Sequence, residues 1–126
     1  MKTKSLHNQL VEWRQDFHKY PELGFEENRT SSRVAKLLKE FGLEVYQGLA
    51  KTGVIGVLKK GSGSNSIGIR ADMDALPINE ANTFNYISKN NGKMHACGHD
   101  GHTSMLLGAV KYLKDNLEFD GKVFFI

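Results

Sequence analysis

The chain has 126 residues, of which 40% are hydrophobic and 25% are charged, which is typical of one globular domain. No apolar run approaches the roughly 20 residues that span a bilayer, so the sequence argues against a membrane protein. The net charge of +3 comes from scattered lysines without an arginine cluster or interleaved aromatic residues. This pattern argues against a nucleic-acid partner.

The N-terminus and the cysteine content bear on the compartment. Residues 1–5 contain two lysines but lead into an amphipathic pattern and not into the apolar core of a signal peptide. The single cysteine, Cys97, excludes an internal disulfide, which agrees with a reducing compartment. We therefore expect a soluble, cytoplasmic protein.

Two amphipathic helices are predicted first along the chain. One runs from Lys4 to His18, and the other runs from about Glu27 to Phe41. Asn28 is the expected N-cap of the second helix, and Gly42 is its expected terminating residue. The apolar stripes are Leu6, Leu10, Trp13 and Phe17 in the first helix, and Val34, Leu37, Leu38 and Phe41 in the second.

Three short β-like runs follow, at residues 44–47, 54–58 and 66–70. A Gly/Ser-rich segment, 60–65, separates the last two runs and is predicted to be a turn or hairpin loop. It does not have the sequence of a phosphate-binding loop, because no Gly-Lys-Ser/Thr follows and no helix opens there.

The second half of the chain predicts a β-α-β unit. Residues 72–93 are rich in Asn, Pro and Gly and are expected to be irregular. A helix is predicted from near Gly101–Thr103 to Leu117, and a continuous apolar run, 122–126, is typical of a strand covered on both faces. With the strand at 66–70, these elements predict two parallel strands joined by a right-handed crossover, and hence an α/β fold.

Two clusters of metal-binding side chains flank this unit. Asp72 and Asp74 follow the middle strand, at the spacing of two that points both side chains one way in extended chain. The run Met94-His-Ala-Cys-Gly-His-Asp-Gly-His-Thr103 precedes the helix. In a β-α-β unit the helix N-terminus lies near the carboxyl end of the preceding strand, where ligands bind. The sequence therefore predicts a metal site that draws on Asp72, Asp74, His95, Cys97, His99, Asp100 and His102.

Other interpretations remain for these residues. Asp72 and Asp74 could simply terminate a strand, and local spacing does not decide which histidine binds a metal. Cys97 could instead be a hydrolytic nucleophile paired with a histidine. His7 and His18, which lie outside the clusters, are interpreted as hydrogen-bonded structural residues.

The motifs resemble those of the metal-dependent amidohydrolases that cleave N-acyl amino acids, a carboxypeptidase-like family. The family includes hippurate hydrolases, N-acetyl-diaminopimelate deacetylases and plant hydrolases of auxin-amino acid conjugates. The similarity runs through Arg14–Glu27, Thr52–Val54, Ile69–Ile78 and Gly92–Thr103, which contain the motifs Arg70-Ala-Asp-Met-Asp-Ala-Leu-Pro77 and His95-Ala-Cys-Gly-His-Asp100.

The resemblance implies a fold, a cofactor and residue roles. It implies a three-layer α/β/α sandwich of the zinc-peptidase type with two divalent metals, manganese or zinc, or else cobalt or nickel. It makes Cys97 a bridging metal ligand, His99 a ligand of one ion and Asp74 the catalytic aspartate that orients the site. The remaining members of the motifs, Asp72, His95, Asp100 and His102, are implied to support the site or to be structural.

The resemblance also implies that this chain is the N-terminal fragment of the catalytic domain. The family's general-base glutamate, further ligands and inserted lid domain come after the last strand of this chain. We therefore expect residues 1–126 to bind metal weakly and to be inactive alone, although the whole family acts on small N-acyl amino acid substrates. The alternative is a non-enzymatic metal-binding or assembly module, and we expect self-association through the edge of the strand at 122–126.

Overall fold

The computed structural model describes residues 2–126, with side chains from Leu6 onward. None of the helices in this part of the chain combines the length and the apolar character needed to cross a bilayer. The elements in chain order are α1 (Lys2–Lys19), α2 (Asn28–Glu40), β1 (Glu44–Leu49), β2 (Gly53–Lys60), β3 (Ser66–Ile69), α3 (His99–Asn116) and β4 (Gly121–Phe125).

Helix α2 ends as predicted but begins differently. Gly42 adopts a left-handed conformation with φ of 83°, and the Leu43 amide donates to the Leu38 carbonyl oxygen at 3.1 Å. This closure, in which a glycine follows the last helical turn, satisfies carbonyl groups that the helix leaves free. The expected terminating residue is therefore confirmed.

The N-terminus of α2 is capped from a distance. Asn28 is the first helical residue and not the N-cap, which is Glu27 without a side-chain capping bond. The Glu22 carboxylate instead accepts the backbone amides of Arg29, at 2.9 Å, and Thr30, at 2.7 Å. The Asn28 cap was wrong because a carboxylate upstream of the helix already occupies the free amides, where negative charge is favourable.

The four strands form one mixed sheet in the order β1-β2-β4-β3. β1 and β2 are antiparallel, β2 and β4 are antiparallel, and β3 and β4 are parallel. The β3-α3-β4 unit therefore has the predicted parallel pairing. The Gly/Ser-rich segment at 60–65 is not a hairpin loop, because it connects β2 to β3 and β4 lies between them.

The position of β4 corrects the expected mode of self-association. β4 pairs with β2 on one side and with β3 on the other, so it has no free edge. The outer strands of the sheet are β1 and β3. Self-association through the edge of residues 122–126 is therefore not supported.

The helices lie on one side of the sheet: α2 packs against β1 and β2, and α3 packs against α1 and α2. The core contains Trp13 and Phe17 of α1, the apolar stripe of α2, Val110 of α3, and Val123 and Phe125 of β4. On the opposite face Val57 pairs with Phe124, and both are only half-buried. Residues 2–126 therefore form two layers of the α/β fold. The expectation that strand 122–126 is covered on both faces was wrong for this part of the chain.

Candidate metal centre

The acidic segment and the cysteine-histidine segment meet through two short β-bridges. Leu23 bridges Ala75 in parallel, and Leu76 bridges Met94 in antiparallel fashion. The Ala75 amide donates to the Glu22 carbonyl at 2.8 Å, and Leu76 and Met94 exchange hydrogen bonds of 2.9 and 3.0 Å. Three irregular segments are thus tied side by side at the carboxyl end of β3. Residues 22 and 23, within the segment Arg14–Glu27, are thereby held against the acidic segment.

Asp74 contacts the imidazole of His99 directly. His99 Nδ1 lies 2.9 Å from the Asp74 carbonyl oxygen and 3.0 Å from its Oδ1. Both partners are acceptors, so Nδ1 carries the proton and donates to them. A neutral ring then has its lone pair on Nε2, which is the arrangement found in metal-binding histidines.

Asp72 approaches the other side of the same ring. Its Oδ2 lies 3.9 Å from His99 Nε2. Its Oδ1 forms an ion pair with Arg70, and its carbonyl oxygen accepts from the Thr103 hydroxyl at 2.9 Å. Both acidic residues therefore face His99, as the spacing predicted, but the carboxylate of Asp72 is already engaged by a guanidinium.

The helix that carries His99 begins earlier than predicted. α3 begins at His99 and not near Gly101–Thr103, after a left-handed turn at Gly98 with φ of 91°. The run at 95–99 is therefore not extended, and its alternate side chains do not share one face. Cys97 is exposed, whereas His95 is buried. His102 is exposed on the first turn of α3, with its ring centroid 5.5 Å from that of His99.

His95 is a buried histidine without polar partners among the described residues. It is 5% exposed, and neither ring nitrogen has a hydrogen-bond partner in that part of the chain. Burial lowers the pKa of His95 to about 4, although the nearby carboxylate of Asp100 acts in the opposite direction. His95 is therefore a neutral ring at neutral pH.

The metal-free chain is expected to lose stability as the pH falls from about 6.5 to about 4, because the unfolded imidazole takes up a proton first. The lost contribution to the free energy of unfolding is on the order of 3 kcal/mol. This contribution is fully present at pH values above the pKa of His95 in the unfolded chain. Urea unfolding across this pH range, with a chelator, should show a flatter dependence for His95→Leu. An equal slope in both proteins would contradict the assignment.

Asp100 is a buried carboxylate in an ionic network that no sequence motif indicated. Its Oδ2 lies 2.9 Å from Arg14 Nε and 2.7 Å from His18 Nδ1, and its side chain is 1% exposed. His18 Nε2 lies 2.8 Å from Glu80 Oε1. His18 is hydrogen-bonded, as predicted, but it connects the first turn of α3 to the irregular segment. No local pattern signals these contacts, because the partners are 82 and 62 residues apart.

A cavity of about 380 Å³ opens beside the acidic segment. Asp72 and Asp74 are among its lining residues, together with apolar side chains of α2, β2 and α3. Cys97 and His99 are not part of this wall. The cavity therefore adjoins the candidate metal ligands without containing them.

The donors present suit a divalent transition metal but form only part of a site. A thiol and an imidazole are the ligand types that zinc and its neighbours favour. Among the side chains described from Leu6 onward, no three of His, Cys, Asp or Glu are grouped so that they could hold a metal ion. Cys97 offers a thiol and His99 an Nε2 without a hydrogen bond, and the described residues do not complete a metal site around them.

Comparisons with known proteins identify the family. The model of peptidase family M20/M25/M40 matches residues 68–126. A hippurate hydrolase from Campylobacter jejuni is 56% identical over 108 residues, which is 86% of this chain and 28% of that protein. An N-acetyl-L-cysteine deacetylase from Bacillus subtilis is 45% identical over 120 residues, which is 94% of this chain and 29% of that protein.

A solved structure agrees with these relatives. A dinuclear metal-binding peptidase of the M20 family from Bacillus subtilis matches with a TM-score of 0.91 and 40% identity, over 97% of this chain and 35% of that chain. The present chain thus spans less than a third of the length of the two curated relatives (28% and 29%). Residues 68–126 match the model of peptidase family M20/M25/M40, and the sequence motifs, the fold and the relatives agree with this family.

Proposed function

We propose that this chain is part of a metal-dependent amidohydrolase that hydrolyses the amide bond of N-acyl amino acids. Cys97 and His99 are the proposed metal ligands, and Asp74 is the proposed aspartate that orients the site. Relatives named hippurate hydrolase and N-acetyl-L-cysteine deacetylase support this reaction class. The substrate is accordingly a small N-acyl amino acid, and the proposed location is the cytoplasm.

The contact between Asp74 and His99 is the observation that carries the proposal. By accepting the proton of Nδ1 at 3.0 Å, the Asp74 carboxylate fixes the tautomer and the orientation of the ring. Nε2 is then available as a ligand atom. Cys97, an exposed thiol just before the helix that His99 begins, supplies the second proposed ligand.

Two divalent metal ions, manganese or zinc, are the proposed cofactors, with cobalt or nickel as substitutes. When bound, such ions supply Lewis acidity toward a carbonyl oxygen. The residues of this chain would hold the ions and orient the ligands. Cys97 offers a thiol just before α3, and Asp74 restrains the ring of His99. The ion pair between Arg70 and Asp72 makes Asp72 a weaker candidate ligand.

The general base and the remaining ligands are proposed to come from sequence beyond the part that this chain shares with its relatives. Residues 1–126 would then be the N-terminal part of the catalytic domain, with the lid and the second catalytic half outside it. Alone they are expected to bind metal weakly and to be inactive.

Complementation tests the proposal. Mixing this chain with the unmatched remainder of the Campylobacter jejuni hippurate hydrolase should give release of glycine from hippurate that depends on added manganese or zinc. The matched control is the His99→Ala chain with the same remainder, which should release none. A folded, metal-loaded mixture without release would reject the amidohydrolase. Release that survives a chelator would favour a cysteine hydrolase instead.

A further inference from the structure

We infer that His18 is a positioning residue for the metal-binding turn at 97–99, which it holds as an imidazolium bridging Asp100 and Glu80. The consequence for metal binding rests on the proposed function. The bridge itself rests on the geometry of the buried side chains, so the two can be tested separately.

The surroundings of His18 require a proton on each ring nitrogen. Nδ1 lies 2.7 Å from Asp100 Oδ2, and Nε2 lies 2.8 Å from Glu80 Oε1. A bare nitrogen at either position would place its lone pair against a carboxylate oxygen. Since the three side chains are at most 4% exposed, water cannot relieve that repulsion.

Both neighbouring carboxylates favour the charged ring. Burial alone raises the pKa of Glu80, but hydrogen bonds from Asn82, His18 and the Ser88 amide outweigh it and hold the pKa below its ordinary value. Asp100 also meets the guanidinium of Arg14 at 2.9 Å, which is always charged. The two anions, Asp100 and Glu80, are therefore balanced by the buried ring of His18 and by the partly exposed guanidinium of Arg14.

Helix geometry supports the same charge distribution. His18 is in the last turn of α1, where the helix dipole favours a cation. Asp100 is in the first turn of α3, where the dipole favours an anion. The hydrogen bond between them thus joins the favourable ends of two packed helices.

The second arm of the bridge anchors the irregular segment. Besides His18, Glu80 accepts from Asn82 Nδ2 at 2.9 Å and from the Ser88 amide. The Lys89 amide donates to the Lys19 carbonyl at 2.9 Å, so the segment folds back onto the end of α1. Phe84 and Tyr86 stack on each other, and each ring meets His18 edge-on. His18 is the side chain around which this segment closes.

The path from His18 to the candidate ligands is short. Asp100 directly follows His99 in the first turn of α3, whose Gly101 and His102 amides donate to the Gly98 carbonyl at 3.0 and 3.1 Å. Holding the Asp100 side chain therefore fixes the turn that presents Cys97 and His99. Loss of the bridge should loosen this turn before it affects the sheet.

Nuclear magnetic resonance tests the bridge without metal. In the wild-type chain at neutral pH, the nitrogen shifts of His18 should show both ring nitrogens protonated. His18→Gln should speed hydrogen exchange of the Gly101 and His102 amides by about tenfold while the β2-β4 ladder changes less. If His18→Gln only destabilised the fold as a whole, hydrogen exchange would become faster at amides throughout the described chain. His7→Gln, at an exposed position of the same helix, is the matched control and should change neither.

Cobalt titration then measures the consequence for the ligands. His18→Gln should weaken cobalt binding by about tenfold, the lower end of the effect expected for groups that orient metal ligands. If His18→Gln does not fold, the Glu80→Gln variant tests the bridge instead. It keeps the shape of the side chain and should remove one ring proton from His18 and speed exchange of the same two amides by a smaller factor.

The outcomes separate the two claims. A singly protonated His18 in the wild-type chain, or unchanged exchange at Gly101 and His102 in the folded variant, would overturn the positioning role. So would unchanged cobalt affinity in His18→Gln where the wild-type chain binds cobalt. A wild-type chain that binds no cobalt would overturn the proposed function alone, and the exchange data would still decide the role of His18.

Discussion

Replacing Asp100 with alanine is expected to lower the free energy of unfolding by about 3 to 5 kcal/mol, the range for removing one partner of a buried ion pair. Its side chain is 1% exposed and is hydrogen-bonded to His18 and paired with Arg14. Without it, the buried ring of His18 loses a carboxylate partner, whereas Arg14, which is 39% exposed, can be solvated by water. Because a small domain is stable by only about 5 to 15 kcal/mol, much of the stability should disappear.

Urea unfolding of the two proteins measures this loss. Asp115→Ala is the matched control, since Asp115 is an exposed residue of the same helix. That substitution should change the free energy of unfolding by no more than about 0.5 kcal/mol. If Asp100→Ala cost as little as the control, the buried network would contribute nothing to folding and the bridge through His18 would lose its basis.

Local sequence patterns were sufficient to predict most elements of the fold. The apolar stripes located α1 and α2, and the order of strand, helix and strand predicted the parallel pairing of β3 with β4. These features depend on residues close in sequence, where hydrophobic period and turn residues act directly. The fold class and the family resemblance were accordingly confirmed.

The errors arose where distant residues compete with local preferences. Asn28 has the chemistry of an N-cap, but the carboxylate of Glu22 reaches the same helix end from outside it. The placement of β4 between β2 and β3 depends on which strands pair, and an apolar run does not encode this. Tertiary contacts therefore determined both the capping of α2 and the position of β4 in the sheet.

In the candidate site, too, features set by local spacing were predictable and features set by distant residues were not. The spacing of Asp72 and Asp74 and the crossover topology predicted that the acidic segment approaches His99, and Asp74 lies 3.0 Å from it. No local pattern indicated the roles of Arg14 and Glu80, because ion pairs between three segments distant in sequence have no periodicity. The assignment of Cys97 and His99 as ligands stays a prediction.

Replacing His99 with alanine is expected to weaken cobalt binding by more than about a hundredfold. Groups that merely orient a ligand contribute about ten- to a hundredfold to metal affinity, and loss of a ligand should exceed this. Only Cys97 would remain of the two proposed donors in this chain. The measurement is a titration followed by the absorption of the cobalt-thiolate bond, which reports on Cys97 directly.

The size of the effect in a second variant distinguishes ligand from orienting residue. Asp74→Asn should weaken binding by about ten- to a hundredfold, because the amide oxygen still accepts from His99 Nδ1 but without charge. His7→Ala, at an exposed histidine of α1, should leave the affinity unchanged. A greater loss in Asp74→Asn than in His99→Ala would reverse the assignment: Asp74 would then be the ligand, and the hydrogen bond to His99 would serve to hold the carboxylate in place.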